Sequence, residues 1–112
     1  MDILCFKEKK DLELWRSGHG TDEIRRRIVW ANILHIKLFG QHTTVTAWHK
    51  PGPFHENIMA FDLRVRDLDS KQREEWMLAM WDFGIPAHLL DADNSNAHFH
   101  VGELATKKHE KE

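Results

Sequence analysis

Phe54-His55-Glu56-Asn57-Ile58-Met59-Ala60-Phe61-Asp62-Leu63-Arg64-Val65-Arg66 runs from a loop that carries a histidine into an alternating segment that carries an aspartate. From Ile58 onward, Met59, Phe61, Leu63 and Val65 fall on one side and Ile58, Ala60, Asp62, Arg64 and Arg66 on the other, the period-2 pattern of a half-buried strand. Asp62 therefore points away from the apolar face, and small Ala60 beside it leaves room over the carboxylate. The loop before the strand can fold His55 back over the same face. Imidazole and carboxylate are both ordinary zinc donors, so His55 and Asp62 are candidate ligands of one metal ion, with a third ligand to come from elsewhere.

Upstream, Gln41 to Trp48 is rich in β-branched residues and reads as a strand, which Lys50-Pro51-Gly52-Pro53 stops with turn chemistry. The bend from His49 to Asn57 then delivers His55 to the next strand. Before that strand, Thr21 has the character of an N-cap, and Asp22 and Glu23 fall in a first turn, where carboxylates favour the helix dipole. Ile24, Ile28, Ala31, His35 and Leu38 follow at helical spacing, with Trp30 and Leu34 widening the stripe and Gly40 placed to end the helix. A histidine on such a stripe reads as a core or boundary residue, and the Arg25-Arg26-Arg27 run as a solvated helix face. Residues 1–20 fit either a short strand and turn or a helix.

Downstream, Asp69 and Gln72 have the spacing of a capping box, and Trp76, Met77, Met80, Trp81 and Phe83 mark the core face of a helix closed by Gly84, with Pro86 just beyond. Ala87 to Leu90 reads as a short strand and 91–96 as a polar turn. In Ala97-His98-Phe99-His100-Val101, alternation sets Phe99 and Val101 on one face and His98 and His100 on the other. The expected fold is α+β: a small, mainly antiparallel sheet with two amphipathic helices on one face and a metal site on the other. Residues 1–102 form the single domain, and 103–112 a charged tail that frays.

Composition narrows the function classes. A chain of 112 residues is one domain's worth, and 16 basic against 18 acidic residues, a formal charge of −2, give no field that would draw nucleic acid or an anionic membrane surface. Cys5 is the lone cysteine, which excludes an intramolecular disulfide and a thiolate zinc cluster. No apolar run approaches the roughly 18 residues of a membrane span. The N-terminus has neither a basic n-region nor a long apolar core, so the cytoplasm is the expected compartment, with release to a cell wall needing another protein. Nine histidines are many for this length, and there is no tyrosine.

Two strands that each bury an apolar face and each show imidazole or carboxylate on the other can form a shallow metal site. A His, Asp, His set leaves a fourth position for water, the arrangement of a catalytic zinc. The competing reading makes His55 a loop residue, pairs Asp62 with Arg64 or Arg66, and leaves His98 and His100 as exposed strand positions. Relaxases and replication nucleases also place a metal on His-x-His but use a tyrosine nucleophile, which is lacking here. Cupins need more strands than this chain provides.

From about Ile24 to Val101 the sequence resembles the fold group of zinc D-alanyl-D-alanine carboxypeptidases, bacteriophage L-alanyl-D-glutamate endopeptidases and the hedgehog signalling domain. Their central motif, Ser-x-His-x-x-Gly-x-Ala-x-Asp, is matched in its His, Ala and Asp by Pro53-Phe54-His55-Glu56-Asn57-Ile58-Met59-Ala60-Phe61-Asp62. The following Leu63-Arg64-Val65-Arg66-Asp67-Leu68 looks like the continuation in short phage and bacterial members. The closing His98-Phe99-His100-Val101 stands in the family's order. The resemblance implies that His55, Asp62 and His100 bind Zn2+, with His98 close to the reaction.

The departures are specific. Pro53 replaces the serine and Ile58 the glycine. The peptidases place an acid three residues before the last ligand, here Ala97, and the hedgehog pattern six residues before it, here Asn94. An amide orients water but does not take its proton, so Asp93, Asp91 or His98 would have to serve as base. What the resemblance implies is a zinc hydrolase of peptide or amide bonds in peptidoglycan stem peptides, in which His49 or Lys50 pairs with a substrate carboxylate. The alternative is a zinc-binding module that has lost its catalytic acid and contacts another protein.

Overall fold

The computed structural model describes residues 4–49, 60–93 and 96–102. Its elements are β1 (Cys5–Phe6), α1 (Lys9–Arg16), α2 (Asp22–Phe39), β2 (Thr44–His49), β3 (Ala60–Arg64), α3 (Ser70–Asp82), β4 (Ala87–Leu90) and β5 (His98–Gly102). One mixed sheet has the order β1-β2-β3-β5-β4. Only β1 runs parallel to its neighbour, and the other three pairings are antiparallel. The α+β class and the mainly antiparallel sheet are as expected, with three helices where two were predicted.

Local chemistry sets the helix ends. The Thr21 side chain accepts from the Ile24 amide at 3.2 Å, and Gly40 caps the other end of α2 in the left-handed region at φ 77°. At α3 both halves of the capping box form: Asp69 accepts from the Gln72 amide at 2.8 Å, and Gln72 from the Asp69 amide at 3.0 Å. These bonds satisfy amides that the first helical turn leaves without partners.

Phe61, Leu63 and Val65 are fully buried with Phe99 and Val101 against Ile24, Ile28, Ala31, Trp76 and Met80. Helices α2 and α3 thus cover the face that alternation marked as apolar. The Trp76 indole donates to the Ala31 carbonyl at 3.1 Å and fixes one helix on the other. Trp81 and Phe83, expected in the core, are about half exposed, as is Leu38 of α2. Trp81 stands about 140° round the helix from Trp76 at 100° per residue, outside the buried face. Its indole instead reaches the Ala87 carbonyl at 2.9 Å.

The segment without a sequence assignment contains both expected forms. Phe6 of β1 stacks on Trp48 of β2 with ring centroids 5.9 Å apart, and Trp15 of α1 leans on both rings. The guanidinium of Arg25 lies 3.9 Å from the Trp15 ring and donates to the His19 carbonyl. Arg26 and Arg27 pair with Glu23 on the exposed side of α2, as a solvated helix face would. Strand β2 begins later than predicted because Asn32, fully buried on α2, binds the Thr43 amide and the His42 ring. His35 is a core residue, giving its Nδ1 proton to the Gln41 carbonyl and meeting Trp76 and Phe39 edge-on. Burial holds its pKa below the ordinary histidine value, with His42 acting the same way and the Gln41 bond opposing both. No helix among the described residues is long and apolar enough to cross a membrane.

Candidate functional site

The sheet register gathers the polar face into rows. Asp62 of β3 lies opposite His100 of β5 and Ala47 of β2, and His88 of β4 lies opposite His100. Arg64 and His98 face each other in the next row. Opposite residues of an antiparallel pair have Cβ atoms about 5 Å apart, so this register alone brings the carboxylate and the imidazole into reach.

Between Val45 and Ala47 the β2–β3 ladder shifts by one residue, a bulge at Thr46. An extra residue bends the strand and puts Ala47 in register with Asp62, while Thr46 lines the same cavity as Asp62. On the other side of Asp62, His100 is held by full burial of its neighbours Phe99 and Val101.

Asp62 and His100 are 9% and 8% exposed, and Nδ1 of His100 stands 3.0 Å from Oδ1 of Asp62. His98 is the diagonal neighbour, its Nε2 3.7 Å from Oδ2 of Asp62. Its other ring nitrogen is 2.7 Å from the Asn96 carbonyl. A carbonyl only accepts, so Nδ1 of His98 carries a proton, and in the neutral ring Nε2 is the basic atom.

The separation of the Asp62 and His100 atoms tests the fit to zinc. Donors about 2.0–2.1 Å from a tetrahedral ion stand about 3.3 Å apart. The observed 3.0 Å is close to that spacing and also suits a hydrogen bond, in which Nδ1 would carry a proton that the metal displaces. Two donors of the expected set are therefore placed suitably. Among the described residues, no group of three or more His, Cys, Asp or Glu side chains is arranged to hold a metal ion. The third expected donor, His55, lies outside the described residues, as do Asn94 and Lys50.

A cavity of about 390 Å³ opens beside the pair. Asp62, His98, Ala97, Lys7, Arg64 and Arg66 line it. Asp91 also lines it, in the left-handed region at φ 54°, which Asp tolerates better than most residues. Asp93 is exposed and lines a different cavity with Arg73 and Glu74. Of the two loop aspartates, Asp91 is thus the one beside Asp62. The backbone of His49 pairs with that of Ala60.

The competing pairing of Asp62 with Arg64 or Arg66 does not form, and His100 is not an exposed strand position. The sequence reading missed Lys7, which follows a two-residue strand whose parallel pairing no short-range pattern announces. Arg64 and Arg66 were legible as polar-face residues, but only the register shows Arg64 opposite His98. Comparisons with protein-family models, with curated proteins and with solved structures find no match to this chain.

Proposed function

We propose that the chain is a zinc-dependent hydrolase of peptide or amide bonds, with peptidoglycan stem peptides as its substrate class. The buried Asp62–His100 pair, flanked by His98 and open to a polar cavity, carries this reading. Asp62 and His100 would hold the metal with His55 as the third donor. Bound zinc would supply Lewis-acid polarisation of the scissile carbonyl and of water.

The chain's own residues would do the rest. The Asn96 carbonyl fixes the His98 ring, so that Nε2, once protonated, can donate to charge developing on the carbonyl oxygen. Asp91 lines the same cavity and would take a proton from water. Wall fragments incubated with the zinc-loaded protein should yield new amino termini, lost on adding chelator and in Asp62→Asn. Failure to release product from any wall fragment, despite bound zinc, would exclude hydrolysis.

A second reading, a zinc-binding interaction module without catalysis, is favoured by one observation. Ala97 is 5% exposed and lines the cavity where the peptidase pattern has its acid. Ala97→Glu separates the two: gain of hydrolysis in the variant over an inert parent would mean that only the base was missing.

A further inference from the structure

Strand β4 is the last strand on its side of the sheet. The Gly102 amide donates to the Pro86 carbonyl at 3.3 Å, one step outside the Ala87–Val101 pair. Bonded and non-bonded pairs alternate along an antiparallel ladder, so His88 and Leu90 direct their backbone groups at β5, while Ala87 and Leu89 direct theirs outward. The Trp81 indole donates to the Ala87 carbonyl at 2.9 Å, which fits that alternation. The N–H and C=O of Leu89 are left facing out, and β4 carries none of the charges or bulges that usually guard an edge.

Helix α3 flanks this edge. At 100° per residue, Ser70, Glu74, Met77 and Trp81 fall within about 60° of one another, with Leu78 beside them. Trp81 reaches Ala87, and Ser70, Glu74 and Met77 line a cavity of about 410 Å³ together with Leu89 and Phe99. Leu78 is 54% and Trp81 47% exposed, large apolar side chains that the fold leaves uncovered. Glu74 and Asp93, which also lines the cavity, have no ion pair among the described residues. Arg73, the cation among the lining residues, donates from two of its nitrogens to the carbonyls of Val65 at 3.2 Å and Ala92 at 3.4 Å. Further round α3, the charges of Lys71 and Asp82 offset each other.

A strand added to an edge continues the alternation of the sheet, so its residue opposite Leu89 sends a side chain to the face on which Leu89 lines the cavity. An apolar side chain fits among Met77, Leu89 and Phe99. The next residues on that face stand two positions away, toward Trp81 in one direction and toward the turn that carries Asp93 in the other. We infer that the β4 edge and the adjoining face of α3 dock an extended segment of a partner protein, apolar opposite Leu89 and basic two positions from it. A second copy of this chain is the poorer occupant, because it would bring another Glu74 and Asp93 to the same edge. The inference rests neither on zinc nor on hydrolysis, since Phe99 and Leu89 face the helices and Asp62 and His100 the other side of the sheet.

The test titrates the full chain, isotopically labelled for amide spectra, with three synthetic peptides. These are acetyl-Thr-Lys-Val-Leu-Val-Lys-Thr-amide, the same peptide with glutamate for both lysines, and the same peptide with N-methyl-leucine, which lacks the central N–H. The lysine peptide should bind with Kd below about 1 mM, shift the Ala87 and Leu89 amides and slow hydrogen exchange at Leu89. The other two should bind at least about ten-fold more weakly. Glu74→Lys combined with Asp93→Lys, both at exposed positions, should abolish or reverse the charge preference while the melting temperature is kept. No binding of the lysine peptide, equal binding of the N-methyl peptide, shifts confined to other residues, or a charge preference unchanged in the double variant overturns the inference. So does a Leu89 amide already protected in the free chain, whether by self-association seen in sedimentation or by residues 103–112 in a monomer.

Discussion

Asp62 shows how much one position can depend on its neighbours. Its carboxylate has alanine on one strand and histidine on the other, and the β2 bulge decides which β2 residue stands beside it. The two candidate bases can be told apart at this scale. Asp91→Asn keeps a side chain that tolerates the left-handed turn, and His98→Gln keeps a polar group of similar reach. Loss of the base should lower kcat by about 10²–10⁴-fold and remove the acidic limb of the pH–rate profile, whereas loss of an oxyanion donor lowers kcat and keeps that limb. Loss of less than about three-fold in both would remove each from that role.

Two further residues test the core. Phe99, fully buried against Trp76, should cost about 3–5 kcal/mol of unfolding free energy when changed to alanine, measured by urea denaturation. A cost below about 1 kcal/mol would mean that the core closes over the gap. His35 carries a pH dependence. Its folded pKa lies below the ordinary 6.5, so the unfolded chain binds its proton more readily, and stability falls as pH drops through that range. The advantage of wild type over His35→Gln should narrow on acidification from about pH 7 to pH 5, by no more than about 1.4 kcal/mol per pH unit. An advantage that widens would reverse the assigned sign.

Helix ends were the most legible elements, because their signals are local. Thr21, Gly40, Asp69 and Gln72 each act where the sequence placed them. Asp69→Ala should therefore cost about 1 kcal/mol, and Gln72→Ala should add little once Asp69 is gone, since the two bonds close one motif. Full additivity would show that the bonds are independent. Gly40→Ala meets no neighbouring atom, so only its positive φ resists the new side chain, and about 1 kcal/mol is expected. Strand faces were legible too: alternation in β3 and β5 assigned Phe61, Leu63, Phe99 and Val101 to the core and Asp62, His98 and His100 to the other side. The exposure of Trp81 and Phe83 was not, since periodicity places residues round α3 without showing how far the sheet extends beneath it.

At the scale of the molecule, what sequence could not supply was the pairing of distant strands. The order β1-β2-β3-β5-β4 inserts the last strand between β3 and β4. That insertion puts His100 against Asp62 rather than at an edge, and it sets Arg64 opposite His98. The parallel pairing of β1 brings Lys7 to the same cavity. Local alternation gave each strand's polar side, but the long-range register turns those sides into a site.

The central claim is that this site holds zinc, and the metal content of the protein purified without added metal tests it most directly. A structural or catalytic zinc bound with roughly 10 kcal/mol should survive purification, so about one zinc per chain is expected, falling in Asp62→Asn and in His100→Ala. Less than about 0.2 zinc per wild-type chain, or a content unchanged in both variants, would contradict it.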